Sequence, residues 1–397
     1  MKSIRLHSPR PCRALAGHPW AFAGEIDRAH APIADGEAVE LFETRGFSLG
    51  AGLWSNRSQI SWRRYARRAR PFDAAFIGEA LDAALARRDA DGDAAAGAAA
   101  VGVARRLVWS EADNLPGLVL DQFGGVFAAQ ALTAGADRAL PDVRAWIERR
   151  FSPREIIFRN DAPVREREGL PLEVRTVSGK PFAPDWFRIG GVEYFLDLQG
   201  GQKTGFYLDQ REQHLRVARL AKGRRVLDAF CNQGGFALQA ARAGAADTLG
   251  IDSSPECIAT AERNALRNGL AGNTRFLRAN VFDWFTENRD SEPRFDLIIL
   301  DPPPFARSKD AMAGAMRGYK EINLRALKLL TPGGLLATYS CSQRVGVEDF
   351  LAMLAEAASD ARRETRVLEV TNQPPDHPVL LNFPESHYLK GAILRAE

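Results

Sequence analysis

The stretch from Val226 to Phe236, Val-Leu-Asp-Ala-Phe-Cys-Asn-Gln-Gly-Gly-Phe, constrains the fold more than any other part of this chain. A short apolar run ends in Asp228, passes through a loop containing Gly234 and Gly235, and gives way to an Ala-rich segment, Ala237 to Ala243, of helical character. The order is strand, tight turn, helix start. Open α/β sheets bind ligands in the crevice beyond the carboxyl ends of their strands, and glycine lets backbone approach a ligand where a side chain would collide. A nucleotide-like ligand is expected there. The loop lacks the G-x-G-x-x-G of a dinucleotide site and the Gly-Lys-Ser/Thr of a phosphate-binding loop, which points to a ligand without a pyrophosphate. Asp252 follows at the end of the next strand, Thr248 to Ile251, where an acidic side chain accepts ribose hydroxyls. Asp228, Gly234, Gly235 and Asp252 therefore suit an adenosine-type ligand; an ordinary α/β turn with a helix-capping aspartate is the alternative.

The chain has 397 residues, which at about 150 residues per domain suggests two or three domains. Its 45% hydrophobic and 26% charged content are those of an ordinary globular protein, which excludes disorder and fibres. The net charge is only +3, so any attraction for nucleic acid has to come from where the arginines lie rather than from their sum. Cys12, Cys231, Cys257 and Cys341 lack zinc-site spacing and are too few for a disulfide framework, so they read as reduced thiols of a cytoplasmic protein with no metal. Met1 to Arg5 contains no apolar segment of the export type, and the run Ala94 to Ala104 is too short to span a bilayer. Neither export nor a membrane is expected.

Residues 1–70 carry alternating segments, Ala38 to Phe42, Ser48 to Leu53 and Ile60 to Tyr65, separated by turns at Gly36, Gly46 and Asn56, and read as a small β-barrel. Its last strand runs into Arg63, Arg64, Arg67, Arg68 and Arg70, with Trp62 and Tyr65 interleaved and Arg57 just before. Arginines beside aromatics neutralise phosphates and stack on bases, so RNA is the expected partner; a solvated arginine face is the other reading. Residues 71–183 read as a central α+β domain. A helical stretch, Phe72 to Arg88, and a low-complexity surface loop, Asp89 to Ala104, precede strands and one helix in the order β-β-helix-β-β. The polar segment Asn160 to Gly169, with Arg159, Arg165 and Arg167, is expected to extend the basic surface. Pro181 to Pro184 reads as a linker.

From residue 184 to 397 strands and helices alternate, the pattern of a parallel sheet with helices on both faces. Strands are expected at Val226 to Ala229, Thr248 to Ile251, Thr274 to Leu277, Leu297 to Leu300 and Leu335 to Ser340, with Tyr388 to Arg395 pairing at the sheet edge. Two further strand ends point into the crevice. Leu297-Ile-Ile-Leu300 runs into Asp301-Pro-Pro-Pro-Phe305, a carboxylate followed by a loop stiffened by prolines. The strand beside it ends in Cys341-Ser342. A cysteine there is either a small packed hydrophobe or, beside Asp301, a nucleophile.

At these residues the sequence resembles the class I S-adenosylmethionine-dependent large-subunit rRNA methyltransferases of the RlmI type, which make 5-methylcytosine. The resemblance is carried by Asp197-Leu-Gln-Gly-Gly-Gln-Lys-Thr-Gly-Phe-Tyr-Leu-Asp-Gln-Arg211, the 226–236 loop, Asp301-Pro-Pro-Pro-Phe305, Arg317-Gly-Tyr-Lys320, Tyr339-Ser-Cys-Ser342, Asp376-His-Pro378 and Tyr388-Leu-Lys-Gly391. His18-Pro-Trp-Ala-Phe-Ala-Gly24 is similar to the family's N-terminal RNA-binding module of the PUA type. Nearly the whole chain is covered.

The resemblance implies S-adenosylmethionine as cofactor and ribosomal RNA as partner. It makes Cys341 the thiolate that adds to carbon 6 of a cytosine, turning carbon 5 into a nucleophile, with Asp301 holding the amino and ring-nitrogen edge. Asp228, Gly234 and Gly235 would lie against the methionine part of the cofactor, Asp252 on the ribose, and Asn280 on the adenine through its carbonyl oxygen. Lys203, Asp209 and Arg211 would line the cofactor or target pocket; a structural salt-bridged segment is the alternative for them. Three positions depart from the family's pattern. Asn280 stands where many relatives carry Asp, Pro304 where the motif has Lys, and Cys231 where the glycine loop has Ser. A methyltransferase acting on an exocyclic amine, and an RNA-binding protein that has lost catalysis, are the competing functions, and a homodimer is left open.

Overall fold

The computed structural model describes residues 1–7, 12–27, 32–90, 103–289, 294–305 and 312–397. The first five strands are β1 (Lys2–Arg5), β2 (Trp20–Phe22), β3 (Ala38–Phe42), β4 (Ser48–Trp54) and β5 (Ile60–Ala66). They form one sheet in the order β1-β3-β4-β5-β2, with β1 parallel to β3 and the other pairs antiparallel. Just beyond β1 and β2 a bridge between Leu6 and Ile26 joins the outer strands, and the sheet closes into the expected barrel. Alternation along the strands drives this: Val39, Leu41, Ala21 and Trp62 point inward and are fully buried. Gly52 makes room for that packing, because a Cβ there would come within 2.4 Å of the Trp62 ring. β1 and β2 carry only three or four residues each, too few for their alternation to stand out in the sequence.

The next elements are α1 (Ala74–Ala90), β6 (Ala104–Trp109), β7 (Leu118–Phe123), β8 (Val126–Ala131), α2 (Ala134–Phe151), β9 (Glu155–Asn160), α3 (Val164–Arg167) and β10 (Glu173–Thr176). The strands form a sheet ordered β10-β9-β8-β7-β6, in which only β8 and β9 run parallel. Three strands precede α2 rather than the two expected, because β6 contains Arg105 and Arg106, which break its apolar signature while being buried. α1, α2 and this sheet share one apolar core with Ala51, Leu53 and Tyr65 of the barrel. Most of the low-complexity segment 89–104 lies outside the described residues.

Residues 1–187, 196–208 and 375–386 make one compact unit. Its returning segments are held by buried charge. Arg88 donates to both oxygens of Asp113, at 2.6 and 2.7 Å, and to the Asp376 carbonyl at 2.9 Å. Arg106 forks onto Asp121 at 2.8 Å through two nitrogens, while its backbone N–H donates to the Asp376 carboxylate. The Asp376-His-Pro378 motif therefore belongs to this framework. The fork geometry of guanidinium lets such pairs stay internal, where loss of one partner costs about 3–5 kcal/mol.

The second unit comprises residues 188–195, 209–374 and 387–397. The chain enters it through a hairpin, β11 (Asp185–Ile189) and β12 (Val192–Leu196). Then come α4 (Arg211–Ala218), β13 (Arg225–Ala229), α5 (Gly235–Arg242), β14 (Asp247–Asp252), α6 (Pro255–Arg267), β15 (Thr274–Arg278), α7 (Val281–Glu287), β16 (Phe295–Leu300), α8 (Met312–Leu329), β17 (Leu330–Ser340), α9 (Val347–Ala361), β18 (Thr365–Asn372) and β19 (Lys390–Ala396). The sheet order is β15-β14-β13-β16-β17-β19-β18. The first five strands are parallel; β19 runs antiparallel to both of its neighbours. β19 pairs with β17, the last of the parallel strands, as expected of Tyr388 to Arg395, and β18 covers its free side. β18 itself has no clear apolar signal to announce it; its apolar residues Val367, Leu368 and Val370 face solvent. Val226, Leu297, Ile299, Leu335 and Ala337 pack on α4 and α5, while Leu227, Ile298, Leu300 and Leu336 pack on α7, α8 and α9. This alternation buries both faces, which is why the strands read as unbroken apolar runs. Order reverses between β13 and β16, and the crevice lies at their carboxyl ends.

Candidate active site

Five parallel strands bring polar residues to one rim of the second unit: Asp228 at the tip of β13, Asp252 closing β14, Asn280 just after β15, Asp301 just after β16 and Cys341 just after β17. Register enforces this, since Asp228 pairs with Gly250 and Ile299, and Leu300 with Thr338.

The loop after β13 is held under backbone strain. Phe230 at φ 70° and Asn232 at φ 47° take left-handed conformations costing of order 1–3 kcal/mol, and Gly234 follows at φ 83°. Asp252 stabilises the loop by accepting from Asn232 N–H at 3.0 Å and from Ser254 N–H at 2.9 Å. Gly235 opens α5 against His214, whose ring a Cβ would meet at 2.6 Å. Asp228 is fully buried and accepts from Ala237 N–H through Oδ2, while Oδ1 has no partner among the described residues. Burial pushes its carboxyl up to about 8; the Ala237 N–H opposes this, and the charges of Asp301 and Asp252 add to it. A buried acid with an open oxygen beside a glycine turn is a ready receptor for a cationic group.

Asn280 departs from expectation. Its Oδ1 caps α7, accepting from Phe282 N–H at 2.9 Å and Asp283 N–H at 3.4 Å. The oxygen reserved for adenine is thus engaged, and the exposed residue offers its amide N–H2, a donor, instead. The rings of Phe230, Phe282, Phe305 and Tyr319 follow one another at 6.4, 5.8 and 4.6 Å.

On the other side, Asp301 accepts from Gln210 Nε2 at 2.8 Å. Asp209 is buried and accepts from Tyr388 OH at 2.7 Å, and the largely buried Arg211 lies 4.0 Å from Glu212. Lys203 belongs to the first unit, where it is exposed at φ 52° with its ammonium over the Tyr207 ring. Gln210 is invisible to a reading of the sequence because a neutral amide between Asp209 and Arg211 gives no signal by type. Burial separates the two thiols. Cys231 is 4% exposed, and burial, then Asp228 and Asp252, push its pKa well up, so its thiolate is disfavoured. Cys341 is half-buried, and Tyr319 anchors its loop through a 3.0 Å bond to Ser342 Oγ.

The arginines divide sharply. Arg57, Arg67 and Arg68 are exposed. Arg63 is not: its side chain is 11% exposed, reaches Glu111 at 3.4 Å and Glu168 at 3.3 Å, and lies over Trp20. Arg64 is half-buried and donates to the Gly17 carbonyl. Arg159 and Arg165 are also internal, paired with Asp161 and Asp137 and donating to backbone carbonyls; of that segment's three arginines only Arg167 faces solvent. The basic surface is therefore narrower than expected, since guanidinium forks matched by carboxylates lie inside the protein.

Among the described residues no helix is long and apolar enough to cross a membrane, and no cluster of His, Cys, Asp and Glu could hold a metal ion. Residues 4–67 match a PUA-like domain, and residues 167–388 match the S-adenosylmethionine-dependent methyltransferases. The ribosomal RNA large subunit methyltransferase I of Aeromonas hydrophila is 38% identical over 99% of both chains, and that of Tolumonas auensis 37% over the same shares. A Streptococcus mutans structure classed with the SAM-dependent methyltransferases superposes over 100% of both chains with a TM-score of 0.80 at 20% identity, a likeness of fold. With the strained glycine loop, the open buried acid and the order reversal between β13 and β16, these matches make the chain a member of the S-adenosylmethionine-dependent methyltransferase family.

Proposed function

We propose that this methyltransferase acts in the cytoplasm on large-subunit ribosomal RNA and methylates carbon 5 of a cytosine through a covalent adduct with Cys341. The observation that carries the reading is the adjacency of β16 and β17: in register, they bring Asp301 and a half-buried thiol to the same end of neighbouring strands. S-adenosylmethionine supplies an electrophilic methyl group when bound. Its holders would be Asp228 at the cationic ammonium, the Gly234-Gly235 turn along the methionine part, Asp252 on the ribose, and the Asn280 amide donating to a ring nitrogen of adenine. The open Oδ1 of Asp228 supports that fit.

Cys341 sulfur adds to carbon 6 of the ring, and the electron pair gained at carbon 5 makes that carbon nucleophilic. Asp301, oriented by Gln210, holds the base's amino and ring-nitrogen edge as charge develops. After methylation a base takes the carbon 5 proton, the electron pair of that C–H bond restores the 5,6 double bond, and sulfur leaves carbon 6 as the Cys341 thiolate. The exposed Arg57, Arg67 and Arg68, with Arg167, would grip the RNA backbone; the names of the two relatives support that substrate. Ribosomal RNA containing 5-fluorocytidine tests the mechanism, since fluorine cannot leave as the proton does. The expected result is a denaturation-resistant protein–RNA adduct, mapped to Cys341 and absent from Cys341→Ala. Full turnover by Cys341→Ala would instead favour transfer to an exocyclic amine.

A further inference from the structure

Lys390 opens β19, pairs in register with Ser340 on β17 and with Asn372 on β18, and is 2% exposed. A buried ammonium is costly unless an anion or several acceptors compensate it. Two of its three N–H groups donate to the carbonyls of Ser342, at 2.6 Å, and Val345, at 2.7 Å, in the turn immediately after Cys341. Among the described residues no carboxylate pairs with it. The surrounding titratable groups are His387, just before β19, Cys341 beyond β17, and Tyr319 of α8, which senses Cys341. His387 carries no compensating charge: burial, and then Lys390 itself, lower its pKa. Tyr319 is held neutral, its pKa raised first by burial. Cys341 is the group that can supply a negative charge.

We propose that Lys390 is the positioning residue that holds Cys341 as a thiolate, fixing the loop through two carbonyls and balancing the sulfur's charge through space. The thiol proton goes to solvent, and Lys390 keeps its own three. Burial lowers the Lys390 pKa to about 8, and the Cys341 charge opposes that fall. The cation is therefore retained at neutral pH and lost as pH rises through about 8. The function given to this pair rests on Cys341 being the nucleophile; the pair itself is measurable without RNA.

The test follows the pH dependence of iodoacetamide alkylation at Cys341 in the full chain, read by peptide mass mapping, for the wild type, Lys390→Met and Lys390→Arg. A free cysteine has its inflection near 8.5. The wild type is expected below that value, Lys390→Met about one unit or more above the wild type, and Lys390→Arg close to the wild type. An unshifted inflection in a folded Lys390→Met protein overturns the proposal. Should Lys390→Met fail to fold, thiolate absorbance of the wild type minus Cys341→Ser decides: appearance of the Cys341 thiolate only above about pH 9 overturns it equally. The fluorocytidine experiment separates the two ideas. An adduct with an unshifted Lys390→Met inflection sinks the pairing alone; a shifted inflection without an adduct supports the pairing and sinks the nucleophile.

Discussion

Asp228 offers the sharpest test of the cofactor site. Its carboxyl sits at about 8 in the ligand-free protein because it is desolvated, with one oxygen bonded to Ala237 N–H and the other open. At pH 7 it is therefore mostly protonated, and a cofactor ammonium against it favours the carboxylate. Binding at pH 7 should release roughly 0.9 of a proton, and below about 8 the contribution of Asp228 to affinity should fall about tenfold per pH unit. From pH 8 down to 6 the deprotonated fraction falls from about a half to about a hundredth, a factor of about fifty, or about 2.3 kcal/mol at 1.36 kcal/mol per tenfold. Calorimetry with S-adenosylhomocysteine, from pH 6 to 9 in buffers of different ionisation enthalpy, reads both quantities. Asp228→Asn is the control, because the ligand's own titration cancels in the ratio of wild-type to variant affinity. That ratio should climb to pH 8 and then level off. A flat ratio with no buffer-dependent heat would refute the reasoning. Stability runs the other way. The folded pKa is raised above the unfolded value, so the carboxyl's contribution is fully present below the unfolded value near 3.8 and is lost as pH rises through about 8. Ligand-free Asp228→Asn should accordingly melt above the wild type at pH 9.

Arg63→Ala leaves Glu111 and Glu168 buried with a partner missing, and should cost about 3–5 kcal/mol in denaturant unfolding. Arg67→Glu and Arg68→Glu should leave the melting temperature in place, while the salt-dependence slope of RNA binding falls by about 0.7–0.9 for each phosphate no longer neutralised. Gln210→Leu removes a hydrogen bond to a charged group, about 1.5–3 kcal/mol, and should lower kcat about tenfold to a hundredfold with unchanged S-adenosylhomocysteine affinity. A fall in melting temperature without a fall in kcat would make Gln210 a packing residue. Gly235→Ala drives a methyl group into the His214 ring and should destabilise the protein by about 1–3 kcal/mol in thermal melts.

The catalytic sheet is legible in the sequence because its strands are buried on both faces and each ends in a polar residue, so Asp228, Asp252, Asp301 and Cys341 stand out at the tips. The barrel's three long strands alternate and are equally readable. β6 is obscured because Arg105 and Arg106 look like surface residues until their partners Asp89 and Asp121 are brought near by the fold. The same blindness assigns Arg63, Arg159 and Arg165 to an RNA face. Residue type cannot tell a guanidinium that meets phosphate from one that meets a carboxylate far away along the chain. Asn280 stands where the sequence puts it, but its hydrogen bonding is decided by the α7 cap, which residue type does not reveal. Lys390 carries a signal of its own: a lysine at the head of the apolar run Gly391-Ala-Ile-Leu394.

Both units close on residues that a ribosome delivers late. The antiparallel strand against β17 arrives only with residues 390–396, and the carbonyl and carboxylate of Asp376 that meet Arg88 and Arg106 arrive scarcely sooner. A nascent chain halted before Asp376 would carry two unfinished cores, one with an open strand edge and the other with the Arg88 guanidinium and the Arg106 backbone N–H each short of an acceptor. Neither core should therefore gain full protection from proteolysis until those segments have cleared the exit tunnel. Fragments cut at residue 187 should require the distant segment in trans to become stable.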